Sequence, residues 1–340
     1  MTSVVPLLEV SELHRGGAIS IGNFDGVHRG HRGLLALNRT AADRVGGPAV
    51  VMVLDPHPAT ILRPDIVPRR LTSIARRAEL LRPLGIDHLV VCPVDLSFLQ
   101  LSATDFFADL IVNRLGSRAV VEGPNFFFGR GRGGDVELLR RLCGDAGIDF
   151  QVAAAAETQP AETQSAETQP ASAESMMISS SRIRDLLAAG QFAAARQMLT
   201  APYRISGQVV AGQQRGRQIG FPTANLGHVD VLVPADGVYG GRVFVVPPGS
   251  DGSQIVGAGG ASAEPGEIAA IHIGPNPTFG DASERKIEVH LLDFAGDLYG
   301  KTLLVDFHVR VRDIARFDSV ARLVAQLQAD VRFVRAKFSI

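Results

Sequence analysis

The sequence predicts an α/β unit followed by an all-β unit: a doubly wound parallel sheet, then a small antiparallel β-barrel with a C-terminal helix. Three observations carry this. Residues 18–150 alternate short apolar runs with helix-like segments, the rhythm of βαβ units. From Tyr203 onward, alternating or apolar stretches are separated by Gly, Pro and Asp turns, as in small barrels. Val320, Leu323, Val324, Leu327, Val331 and Val334 then recur at helical spacing, a stripe that reads as packing rather than as a site.

In chain order, residues 18–21 (Ala-Ile-Ser-Ile) form a first buried strand, and a helix starts at Arg32. Residues 49–54, 88–92 and 118–122 are further apolar runs, typical of strands covered on both faces. Helical segments fall at 73–82 and 103–115, and another strand ends near Val152. Residues 156–170 repeat Ala-Glu-Thr-Gln-Pro/Ser three times; with no apolar face to bury, this insertion is expected to be disordered and without function, a partner-binding tail being the alternative. A helix follows Ile178. Strands are expected at 203–210, 237–246, 287–292 and 302–311, with a Gly/Ser/Pro-rich hairpin loop at 247–266. The expected organisation is a first domain at 1–155, an insertion at 156–175, a helical segment completing the first site at 176–199, and a second domain at 200–340.

Composition narrows the function. A chain of 340 residues with a net charge of −1 suggests two domains and lacks the cationic excess that nucleic-acid or membrane-surface binding needs. Cys92 and Cys143 are the only cysteines, too few for a disulfide framework, so a reducing cytoplasm is expected. Residues 1–17 include Glu9, Glu12, His14 and Arg15 and lack the pattern of a signal peptide. No apolar run approaches the ~18 residues of a membrane helix.

The most informative stretch is residues 22–31, Gly-Asn-Phe-Asp-Gly-Val-His-Arg-Gly-His. It joins a strand to a helix. Gly22, Gly26 and Gly30 allow tight turns and close backbone approach, with Phe24 and Asp25 between them. His28 and His31 stand where the helix begins. Imidazole donors there add to free N–H groups and the positive dipole end, a site suited to a polyphosphate. A plain α/β turn or a His-ligated metal are the other readings. Three further segments carry candidate chemistry, the first on the same ligand-binding edge of the sheet. His57, in Asp-Pro-His-Pro at 55–58, either contacts a ligand or sits in a turn. At 123–129, Asn125 can hydrogen-bond a heterocycle while Phe126 and Phe128 wall it; a solvated loop is the alternative. At 178–184, Ser180, Ser181 and Arg184 combine an N-cap with phosphate-binding groups.

The Gly-x-Phe-Asp-Gly-x-His-x-Gly-His pattern resembles nucleotidyltransferases with a His-x-Gly-His signature. With the other three segments, residues 15–190 resemble the FMN adenylyltransferase module of bacterial bifunctional riboflavin kinase/FAD synthetases. Ser181 stands where that family carries Thr, and Pro124 where it often has a polar residue; the repeat is not a family feature. The resemblance implies that His28, His31, Ser180, Ser181 and Arg184 stabilise phosphates and that His57, Asn125, Phe126 and Phe128 contact flavin.

A second constellation spans 207–226. Gly212, Gly216 and Gly220 let a loop approach phosphates, without the Gly-Lys-Ser/Thr of a Walker A loop. Thr223 and Asn225 share one face of an extended segment. Their oxygens suit Mg²⁺ with nucleotide phosphates completing its shell, though a β-turn would use the same residues. Glu288 alternates with Ile287 and Val289; on the inner face of a small barrel it can take a proton from a hydroxyl, while an exposed carboxylate is the plain alternative. Gly-Phe-Pro-Thr-Ala-Asn (220–225), Ile-Gly-Pro-Asn-Pro-Thr-Phe (273–279) and 288–300 occur in the order of the riboflavin kinase module, which residues 200–336 resemble. His272 stands where that family usually has Asn, and Thr200-Ala201 replaces its Leu-Gly-Arg-like approach. The resemblance implies that Thr223 and Asn225 bind Mg²⁺ and ATP and that Glu288 is the base on the ribityl hydroxyl. The expected function is therefore double: riboflavin and ATP to FMN, then FMN and ATP to FAD and diphosphate. A chain keeping one activity, or a flavin-binding regulatory protein, is the alternative.

Overall fold

A computed structural model describes residues 2–154, 177–212, 215–246, 266–275 and 285–338. The repeat and residues 276–279 of the second motif lie outside the described residues, as does most of the 247–266 stretch. The chain divides into two compact units, Met1–Pro68 with Ile74–Ser180, and Arg69–Ser73 with Ser181–Ile340.

The first unit holds six parallel strands: β1 (Ser3–Pro6), β2 (Ala18–Ile21), β3 (Ala49–Asp55), β4 (His88–Pro93), β5 (Ala119–Glu122) and β6 (Asp149–Val152). Their order is β1-β4-β3-β2-β5-β6. The direction of winding reverses at β2, whose neighbours are β3 and β5, and ligands in such sheets bind beyond the carboxyl ends at that reversal. Alternation along the strands builds two cores. Val50 and Met52 join Ile19 and Ile21 on one face; Val51 and Val53 join Ala18 and Leu35 on the other. Helices α1 (Arg32–Val45), α2 (Pro58–Leu62), α3 (Ile74–Leu81), α4 (Ala103–Phe106) and α5 (Val136–Asp145) connect the strands; α4 runs on as a π-helix over Phe107–Arg114.

Helices α6 (Ser180–Ala188), α7 (Phe192–Met198) and α8 (Arg215–Gln218) follow, the last inside the second unit. That unit is a closed barrel of six antiparallel strands, β7 (Tyr203–Val210), β8 (Ala224–Gly227), β9 (Gly237–Val246), β10 (Glu267–Pro275), β11 (Arg285–Leu291) and β12 (Thr302–Arg312). Closure removes exposed sheet edges. Tyr239, Phe307, Ile271 and Val289 are fully buried and fill the barrel. Arg204 and Asp306 face each other across β7 and β12 in a buried two-pronged ion pair at 2.5 and 2.7 Å. Helix α9 (Val320–Phe338) ends the description. No helix among the described residues is long and apolar enough to cross a membrane.

Candidate active sites

The first site lies where β2 and β5 part. A cavity of about 330 Å³ is lined by Gly22, Phe24, His28, Gly30 and His31 after β2, and by Gly123, Asn125 and Phe126 after β5, with Met177 and Ile178 beside them. The loop out of β2 is bent into an uncommon backbone: φ is 46° at Phe24, 84° at Gly26 and 37° at Val27. Left-handed conformations at a Phe and a Val cost energy and persist where surrounding structure enforces them, often at functional sites. His28 caps a 3₁₀ turn, Arg29–His31, that leads directly into α1.

The two imidazoles stack at 3.6 Å between centroids and 16° between planes. Phe24 packs on His31 at 5.0 Å. Burial, reinforced by the charges of His28 and Arg77, holds His31 well below the ordinary histidine range. His31 Nδ1 is buried without a hydrogen-bond partner among the described residues. Gly30 is explained by space: a Cβ there would fall 2.9 Å from His28 Nδ1 and 3.0 Å from the Ile178 carbonyl oxygen.

Asp25 and Ser180 hold this loop in place. Asp25 is buried against Arg77 at 3.2 Å, and Ser180 Oγ donates to the Asp25 carbonyl at 2.7 Å. His57 caps α2, its Nδ1 accepting from Ala59 N–H at 3.0 Å. Phe126 reaches the cavity, but Phe128, stacked behind it at 5.5 Å, is buried in the core beside Phe106. Of the two phenylalanines expected to wall a flavin, Phe126 borders the cavity and Phe128 packs in the core. Ser181 and Arg184 fall in the second unit, where Arg184 Nε donates to the Arg69 carbonyl at 2.8 Å.

The second site lies on the outer face of the barrel. In β11 the buried residues are Ile287, Val289 and Leu291, and they point inward. Glu288 is therefore on the outside, which corrects the inner-face expectation; the interior of so small a barrel is already filled by aromatic and aliphatic side chains such as Tyr239, Phe307, Ile271 and Val289. The register places His272, Glu288 and Asn225 side by side across β10, β11 and β8. All three line a cavity of about 360 Å³, together with Thr223 and, from α9, Leu323, Leu327 and Val331. The helical stripe read as packing thus also walls this site.

Ala224 is buried, so Thr223 and Asn225 share the cavity face. Asn225 Oδ1 and His272 Nδ1 are buried without hydrogen-bond partners among the described residues. Burial lowers the His272 pKa, with the Glu288 charge opposing. The glycine loop closes on this point: a Cβ on Gly212 would fall 2.0 Å from Asn225 Nδ2, and one on Gly216 would fall 2.3 Å from the Phe221 oxygen and 3.5 Å from Thr223 Oγ1. Gly220 makes a left-handed turn at φ 84°. Thr223 also borders a cavity of about 620 Å³ lined by Arg217, Asp297 and Tyr299.

Sequence reasoning missed Glu122. It is 2 % exposed and borders the first cavity. The signal was available: a lone carboxylate ends an otherwise apolar strand at the ligand edge, and buried carboxylates are rare without a partner.

Comparisons with known proteins find the same two modules. The FAD synthetase family matches residues 10–167, and the riboflavin kinase family matches residues 199–338. A bifunctional riboflavin kinase/FMN adenylyltransferase of Pseudomonas fluorescens is 36% identical over 323 residues, covering 95% of this chain and 93% of that one. The enzyme of the same description from Escherichia coli K12 is 34% identical over 325 residues, covering 96% and 94%. A solved structure described as a macrolide-efflux protein from Streptococcus pneumoniae superposes with a TM-score of 0.77 at 29% identity, covering 98% of both chains. With both modules matched in order and relatives aligned over nearly the whole chain, this protein belongs to the bifunctional riboflavin kinase/FMN adenylyltransferase family.

Proposed function

We propose that the cavity at the β2/β5 split is the adenylyl-transfer site and that the cavity outside the barrel is the kinase site. Both reactions move phosphorus groups, so they call for positioning and charge stabilisation rather than a covalent intermediate. In the first site, His28 and His31 face the phosphates of ATP. The buried, stacked pair supports this role: two preorganised imidazoles at the start of a helix, where free N–H groups and the positive dipole end favour an anion. Asn125 and Phe126 contact the flavin.

In the second site, Glu288 accepts the proton of the ribityl hydroxyl as that oxygen attacks the terminal phosphate of ATP. The observation that carries this reading is the row Asn225–Glu288–His272 on one cavity face. An amide, a carboxylate and an imidazole set side by side are not barrel packing. The residues fit a magnesium ion: Asn225 Oδ1 is a buried oxygen lacking a partner, and the Thr223 hydroxyl is on the same face. Held by these two hard oxygens, Mg²⁺ would supply charge neutralisation to the nucleotide phosphates. Thr223 borders both the 360 Å³ and the 620 Å³ cavities, which suits a residue between the acceptor hydroxyl and a nucleotide. Two buried free thiols, Cys92 and Cys143, favour a cytoplasmic setting.

A reciprocal pair of variants tests the assignment. Glu288→Gln keeps its shape but accepts no proton, so riboflavin phosphorylation is expected to fall about 10²- to 10⁴-fold while FMN adenylylation persists. His31→Ala removes a preorganised donor and should lower adenylylation about 10²- to 10³-fold, with FMN still produced. A loss of both activities from either substitution would contradict two separate sites.

A further inference from the structure

The sheet opens in an unusual way at the first site. β2 and β5 pair only through Ala18–Ala119 and Ile19–Val120. Beyond that point side chains replace the ladder: Ser20 Oγ donates to the Val121 carbonyl at 2.7 Å, and Ile21 N–H donates to Glu122 Oε1 at 2.6 Å. Glu122 is thus fixed at the floor of the opening, bordering the cavity beside Gly22 and Gly123.

We propose that the Glu122 carboxyl is a substrate-reading group of the adenylyl-transfer site, pairing with the donor–acceptor edge of a substrate's heteroaromatic ring. Burial pushes this carboxyl well above the usual range, against the weaker opposing effect of the Ile21 and Gly123 amides. A protonated carboxyl offers an O–H donor beside a carbonyl acceptor. Ile21 N–H donates to the carboxyl, so this contact leaves its proton unused. A buried donor without an acceptor is costly, and the open side of this one is the cavity. Adenine presents an amino donor beside a ring-nitrogen acceptor; the flavin ring presents an N–H beside a carbonyl. Either edge matches.

The inference rests on the assignment of this cavity to adenylyl transfer; failure of that assignment would appear as unaltered FAD formation by His31→Ala. The test is steady-state FAD synthesis, with KM measured separately for ATP and for FMN. Glu122→Gln retains an acceptor and a donor, and each KM is expected within about 3-fold of the parent. Glu122→Met retains bulk alone, and one KM should rise about 10- to 100-fold with kcat changed far less. The substrate whose KM moves identifies the ring. Riboflavin phosphorylation by the same sample reports folding. If Glu122→Met does not fold, the parent enzyme decides, using an ATP analogue lacking the 6-amino group and FMN methylated at N3. Unchanged KM for both substrates in folded Glu122→Met, or for both analogues with the parent, would overturn the proposal and leave Glu122 as a cap on Ile21.

Discussion

Gly30→Ala isolates the geometry of the histidine pair without removing either histidine. The added methyl would sit 2.9 Å from His28 Nδ1 and 3.0 Å from the Ile178 carbonyl oxygen. Relaxed contacts of this kind lie near 3.5 Å, so something must move by about 0.5 Å. Ile178 is held as backbone. His28 is 5 % exposed and stacked on His31 at 3.6 Å, which is itself packed on Phe24; displacing one ring displaces the stack. A misplacement of about 1 Å can cost roughly 10²-fold in rate. Half of that displacement, acting on two donors, predicts a loss of about 10- to 100-fold, or roughly 1.4–2.7 kcal/mol in the barrier. Overpacking should also lower stability by about 1–3 kcal/mol. The assay is FMN and ATP to FAD, with riboflavin phosphorylation on the same preparation as control. A Gly30→Ala enzyme that makes FAD at the parent rate would refute the claim that the stacked pair positions phosphate.

Further outcomes follow from the same contacts. Asn225→Ala should raise the Mg²⁺ concentration needed for half-maximal riboflavin phosphorylation by about 10-fold or more, because it deletes the buried oxygen assigned to the ion; an unchanged Mg²⁺ curve would remove Asn225 from that role. Burial holds His31, His88, His272 and His308 below the ordinary histidine pKa. Below pH ~6.5 the unfolded chain then binds more protons, so this stability is complete above that pH and is lost as pH falls through it. His31→Gln should flatten the decline in denaturation midpoint between pH 7 and 5; an equally steep decline would contradict the burial of His31. The thiols of Cys92 and Cys143 are each pushed up to about 12 by burial, so neither should react with a thiol reagent at pH 8 until the protein unfolds; rapid modification of native protein would count against their placement.

Strands β2, β3, β4 and β5 were legible because each is an apolar run that stands out. β1 was not: Ser3–Pro6 is four residues ending in proline, and only its pairing with β4 gives it away. β10 was hidden because Ala269 and Ala270 dilute its pattern. The His-x-Gly-His loop could be read from residue types, since its glycines and histidines have few other uses together. The roles around it could not. His57 and Asp25 are polar residues in a ligand-edge loop, yet one caps a helix and the other pairs with Arg77. Residue type alone does not separate a ligand contact from a support. Glu288 shows the same limit for strands. Period two opposes it to Ile287 and Val289, but which face is interior depends on the whole barrel, and α9 makes the exterior a cavity wall. Phe126 and Phe128 are alike in residue type and stack on each other, yet only the tertiary packing shows that Phe128 lies behind, in the core.

The most direct measurement incubates the protein with riboflavin, ATP and Mg²⁺ and follows riboflavin, FMN and FAD by chromatography over time. Two sites in sequence predict that FMN appears first and is then converted to FAD, with ADP from the first step and diphosphate from the second. FMN supplied in place of riboflavin should give FAD without a lag. Riboflavin left unchanged, or FMN accumulating with no FAD even when FMN and ATP are supplied directly, would contradict the assignment of two working sites to this chain.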